Sequence, residues 1–190
     1  MTIFNIDPTK INLGDLVTSS KGAKTIPLTS YGNVISWQPS GDYVPCFEPS
    51  AFNDPTASRV NLSLISTGYV ESELNLLDAT ICDLLAKDSQ KYFGQNLTLE
   101  QIKERLQPSL RISDKGHKSW RLKMNISGRM KCTCYDENRE VREAPECWVD
   151  ASIRPHVIIK SIWMMNKEFG VVYDLQAAQI CETAKKCPFM

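Results

Sequence analysis

An α+β fold, mostly antiparallel and most simply a small closed barrel with one long and one short helix inserted between its strands, is what this chain predicts. Three observations point there. Residues 59–66 and 118–127 alternate apolar and polar side chains with the period of a strand. Between them, apolar positions at helical spacing run through Leu74, Leu77, Ile81, Leu84 and Leu85. Two long β-rich runs close the pattern, with 190 residues at 42% hydrophobic and 23% charged sufficient for a core without disulfide or metal staples. The whole chain, 1–190, reads as a single domain with a loop-rich N-terminal part over about 1–58.

In that N-terminal part, Pro, Gly, Ser and Asn separate short β-like runs at Thr25 to Thr29, Asn33 to Gln38 and Tyr43 to Phe47. Arg59 to Ser66 places Val60, Leu62 and Leu64 on one face and Asn61, Ser63 and Ile65 on the other. A long helix follows from Val70, with Glu71 and Glu73 favouring its positive N-terminal end and Gly94 near its stop. Thr98 to Gln101 has capping-box spacing, and Leu99, Ile102 and Leu106 edge a short helix that Pro108 ends. Lys118 to Ser127 puts Trp120, Leu122, Met124 and Ile126 on a core face and Arg121, Lys123 and Asn125 on a basic one. Met130 to Tyr135 continues as a strand, and the charged stretch Asp136 to Glu146 is a hairpin tip or mobile loop. Finally, His156 to Met165 and Phe169 to Ile180 are strands joined by the polar turn Asn166, Lys167 and Glu168.

The formal charge is zero, but its distribution is not even: residues 1–100 hold 6 Lys/Arg against 11 Asp/Glu, and residues 101–190 hold 16 against 11. Residues 103–131 concentrate Lys103, Arg105, Arg111, Lys115, Lys118, Arg121, Lys123, Arg129 and Lys131 against Glu104 and Asp114. Such a segment suits a polyanion, because neutralising phosphates releases their counterions; a solvated face balanced by acidic neighbours is the alternative. Seven cysteines, an odd number without a framework spacing, fit an intracellular, reducing compartment. Cys132, Cys134 and Cys147 could supply three zinc ligands, but their spacing departs from that of paired zinc ligands, and no metal or cofactor is assigned. No apolar run reaches the roughly 18 residues that span a bilayer and the start MTIFNIDPTK lacks a basic stretch leading into an apolar one, so neither a membrane nor the secretory route is expected.

Phosphate-cradle, dinucleotide, nucleophile-elbow and zincin motifs are all missing. Only His117 and His156 could act as imidazole bases, and neither has a neighbouring carboxylate or nucleophile in sequence. Enzymatic activity is therefore not expected. Sequence-independent binding of single strands needs a positive groove and exposed aromatic faces. Trp37 and Tyr43, either side of the polar turn 38–42, are the aromatics placed for stacking, whereas Trp120 and Trp163 sit on apolar faces and read as core.

The order Leu106 to Ser127 followed by Ser152 to Ile180 resembles the OB-fold single-stranded DNA-binding proteins of nucleocytoplasmic large DNA viruses and the related replication proteins of tailed phages. The resemblance rests on Ile162 and Trp163 leading through a turn into Phe169, Gly170 and Val171, and on the pair Gln179 and Ile180. It implies an OB-fold-like barrel that coats single-stranded DNA, with RNA left open, during replication, recombination or repair in a host cytoplasm or nucleus. Arg111, Lys115, Lys118, Arg121 and Lys123 would line the groove, with Arg129 and Lys131 continuing the basic segment. Replication proteins are its further implied partners, and a homodimer is left open by the sequence. The phage relatives end in an acidic tail, whereas this chain ends ETAKKCPFM with Phe189 but no acidic run. The alternative reading is a non-enzymatic structural or assembly protein of a virion or complex.

Overall fold

A computed structural model describes residues 7–51, 54 and 56–181. Four short strands come first: β1 (Ile11–Leu13), β2 (Val17–Thr18), β3 (Lys24–Ser30) and β4 (Ile35–Trp37). After β5 (Arg59–Ile65) stand the helices α1 (Gly68–Lys87), α2 (Ser89–Phe93) and α3 (Leu99–Lys103). The remaining strands are β6 (Leu110–Ile112), β7 (Lys118–Asn125), β8 (Thr133–Tyr135), β9 (Val141–Arg142), β10 (Ser152–Met165) and β11 (Glu168–Cys181). The single long helix expected up to Gly94 breaks at Asp88, whose backbone leaves helical geometry (φ −122°, ψ 34°), so two short helices follow the long one. Gly94 ends α2 at φ 70°, a conformation that glycine adopts without strain. The capping box of Thr98 and Gln101 starts α3 as the spacing predicts.

The sheet runs β1-β3-β10-β11-β7-β5. Most neighbours are antiparallel, but β11 pairs in parallel with both β7 and β8. The run from Tyr43 is too irregular for a strand, yet it joins the sheet's two sides. Tyr43 exchanges both backbone hydrogen bonds with Ile153 of β10, while Cys46 N–H donates to Ser63 and Ile65 N–H donates to Val44 along β5. Backbone pairing therefore passes from β5 through β7, β11 and β10 to segment 43–50 and back to β5.

Inside lie Trp37, Trp120, Tyr43 and Tyr173, with Trp120 5.4 Å from Trp37 and 5.7 Å from Tyr43 between ring centres. Helix α1 adds Val70, Leu74, Leu77, Ile81 and Leu85 to the same core. Its buried Asp78 accepts from Ser109 N–H (2.8 Å) and Ser109 Oγ (2.6 Å), and that hydroxyl also meets Tyr173 Oη at 2.7 Å. This ties the helix to the segment entering β6. Asp136 to Glu140 forms the turn of the β8–β9 hairpin, where Glu140 N–H donates to Asp136. No helix among the described residues is long and apolar enough to cross a membrane.

Candidate nucleic-acid interface

Strand β7 supplies the site through its alternation. Trp120, Leu122 and Met124 point inward, so Arg121 and Lys123 face outward, opposite Ser63 and Asn61 of β5. On the other edge β6 sets Arg111 opposite Ser119, on that same outer face. Arg59 opens β5 and ion-pairs with Asp174 of β11, which is the register partner of Lys123. Four cations thus share one wall. The cost is visible in their chemistry: partial burial, then the charges of Arg59 and Arg121, hold the Lys123 ammonium below its usual pKa, with Asp174 acting in the opposite sense. Burial and Arg121 likewise lower that of Arg111.

Opposite this wall, the outer ends of β10 and β11 extend as an arm beside β3, with Trp163 paired to Thr25 and Gly170, and Met164 to Lys24. Trp163 is half-buried and lies against Gly170, so closely that a Cβ there would fall 2.8 Å from its Nε1. The absence of a side chain at Gly170 lets the indole rest flat on the backbone. Between wall and arm lies a cleft of about 800 Å³. Its charged lining residues are Lys21, Lys24, Arg59, Arg111, Arg121 and Lys123, with no carboxylate among them. Trp163, Met164, Met165 and Val171 make its apolar side. The arrangement offers guanidinium and ammonium donors to phosphates on one side and an aromatic, thioether-rich surface to flat rings on the other.

Of the residues singled out from sequence, Arg111, Arg121 and Lys123 meet in this cleft and the others do not. Lys118 has the inward parity of Trp120 and, at the barrel's end, holds Glu71 of α1 at 2.5 Å. Lys115 sits in the Ser113–His117 turn, and Arg129 and Lys131 in the loop after β7; none of the three lines the cleft. Trp37 and Tyr43 are corrected outright: both are 0% exposed, so no base can reach either ring. A loop position says nothing about burial when the loop itself closes the barrel. Trp163, read as core, is instead the cleft's aromatic. Arg59, Lys21 and Lys24 were missed, because each stands far before β7 in the chain and only strand pairing gathers them. Outward parity with Asn61 and Ser63 was the one available signal for Arg59.

The zinc alternative also fails on placement. Cys132 and Cys134 are buried side by side, whereas Cys147 is exposed and its thiol donates to Glu48 at 3.2 Å. Among the described residues no three His, Cys, Asp or Glu side chains gather to hold a metal. His156 Nε2 lies 2.6 Å from Ser36 Oγ, and burial lowers its pKa. The segment 182–190, where an acidic tail was sought, falls outside the described residues.

No family model and no curated protein matches the sequence. Among solved structures, the chain is similar to gp2.5, a single-stranded DNA-binding protein encoded by bacteriophage T7. That match has a TM-score of 0.52 and 10% identity over 80% of this chain and 88% of that one. The single-stranded DNA-binding protein of bacteriophage Enc34, in complex with single-stranded DNA, aligns at TM-score 0.45 and 11% identity over 89% and 95% of the two chains, a likeness too distant to carry weight. At 10% identity, what this chain shares with the T7 protein is its fold.

Proposed function

We propose that this protein binds single-stranded DNA in the cleft between β7 and the β10–β11 arm, and coats single strands during viral DNA replication, recombination or repair. In this reading the barrel is an OB-fold of the kind found in tailed phages and nucleocytoplasmic large DNA viruses, and it performs no catalysis. The carrying observation is a cleft whose six charged lining residues are all cations, facing an indole fixed on a glycine. Mutual repulsion among Arg59, Arg111, Arg121 and Lys123 is relieved when phosphates bind, so binding uses an electrostatic strain already present in the free protein. Bases unstacked from a partner strand would lie against Trp163, which a duplex cannot offer without opening. The fold shared with a phage single-stranded DNA-binding protein supports the same reading.

Fluorescence anisotropy with an oligo-dT of about 30 nucleotides, the matching duplex and an RNA of equal length, at two salt concentrations, tests it. Tight, salt-sensitive binding that favours the single strand over the duplex is expected, and the RNA arm fixes the sugar preference. Absence of binding at low salt would overturn the proposal and leave the structural or assembly role in its place.

A further inference from the structure

Two turns lie side by side at the outer end of the arm. Strand β3 runs antiparallel to β10 with Lys24 opposite Met164, so the chain preceding Lys24 continues past Met164 toward the β10–β11 turn. The first turn, held by Ser19 N–H to Ala23 (2.8 Å) and Gly22 N–H to Ser19 (2.9 Å), carries Lys21 and leads into Lys24. The second carries Asn166 and Lys167. All three lysines are exposed, and none is held in an ion pair among the described residues.

Lys167 is also in a conformation that lysine resists. Asn166 and Lys167 both have positive φ, 52° and 72°, which is the geometry of a tight hairpin turn whose second position strongly favours glycine. Asparagine tolerates it; a lysine there is strained, and such strain marks positions where the side chain has a use. Lys167 directly follows Asn166, which lines the cleft together with Lys21 and Lys24.

We infer that Lys21, Lys24 and Lys167 form a second phosphate-contacting bank of the cleft, separate from the Arg59–Arg111–Arg121–Lys123 wall and reached only by a strand long enough to pass over the arm. The inference rests on the single-strand reading above and extends it. A short oligonucleotide satisfies the arginine wall alone; a longer one crosses Met164 and Met165 and engages the lysines. Affinity therefore rises in two stages with length, and only the second stage needs the arm-tip lysines.

The test is an oligo-dT ladder from about 4 to about 16 nucleotides, the range of footprints such barrels occupy. It is read by anisotropy on the wild type, Lys167→Gly, Lys21→Ala/Lys24→Ala and Arg121→Ala. Lys167→Gly is informative because glycine relieves the turn: its thermal midpoint should rise by about 2–4 °C, so weaker binding cannot be blamed on misfolding. Long oligomers should lose about fivefold in affinity near 0.1 M salt per phosphate contact removed, while Lys167→Gly, which lies outside the cleft's lining, holds the shortest binding oligomer as well as the wild type does. Arg121→Ala should weaken every length. Equal losses at all lengths, or none at any, in Lys167→Gly would overturn the second bank while leaving the arginine wall standing. A wild type that bound no length would overturn both.

Discussion

Gly170 shows how a single missing side chain shapes the interface. Its backbone would tolerate alanine, but the new Cβ would meet Trp163 Nε1 at 2.8 Å and Cε2 and Cζ2 at 3.0 Å, so the indole must tilt away. Gly170→Ala should cost about 1–3 kcal/mol of stability by overpacking, and single-strand affinity should fall although no charge has changed; urea melts and anisotropy check the pair of effects. Lys123 makes the converse case. A base whose folded pKa lies below its ordinary 10.5 binds fewer protons folded than unfolded, so stability rises with pH across the window between the two values. Lys123→Met should raise the thermal midpoint at neutral pH and flatten that rise, while weakening DNA binding; a variant that lost both stability and binding would show the lysine to be structural. Parity along β7 made Arg121 and Lys123 legible from sequence, because a period of two is a local property. Trp37, Tyr43 and Trp163 were misread for the opposite reason: which face of a barrel an aromatic meets depends on strands far away in the chain.

At the scale of elements, α1 does more than fill the core. Ser109 hands its backbone N–H and its hydroxyl to Asp78, and burial pushes that carboxyl up while these two bonds pull it down. Ser109→Ala leaves Tyr173 Oη and one Asp78 oxygen short of a partner in a buried setting. It should cost about 1–3 kcal/mol in chemical denaturation, with a matching loss in the order of β6, the strand that presents Arg111. The helices themselves were legible from a 3.6-residue period and a capping box, but the break at Asp88 was not, since the polar run 87–91 fits a helix surface and Gly94 is the plainer stop signal. Lys118 illustrates the same limit: its charge was visible, while the Glu71 that occupies it lies on another element.

Taken whole, the molecule has no net charge, yet six of its 22 Lys and Arg line one cleft whose lining holds no carboxylate. If four phosphates meet Arg59, Arg111, Arg121 and Lys123, the logarithm of affinity should fall against the logarithm of salt with a slope of about −3, from about 0.7 per contact on a single strand. A slope near zero would mean that the cleft binds something other than a polyanion. The outline of strands, helices and final hairpin was readable in the sequence, whereas the six-cation cleft was not, because it exists only once β3, β5, β7 and β10 are in register.

Those pairings also fix the order in which the chain can acquire structure as it leaves the ribosome. Strands β3 and β4, and Tyr43 after them, find their partners on β10, more than 100 residues later. Helix α1 and the β5–β7 pair can meet as soon as residue 125 has emerged, but β1 to β4 have no larger sheet to join until β10 is made. Nascent chains halted before β10 should therefore keep β1 to β4 sensitive to protease and open to chaperones, and the cleft would form last, in the same step that buries Trp37.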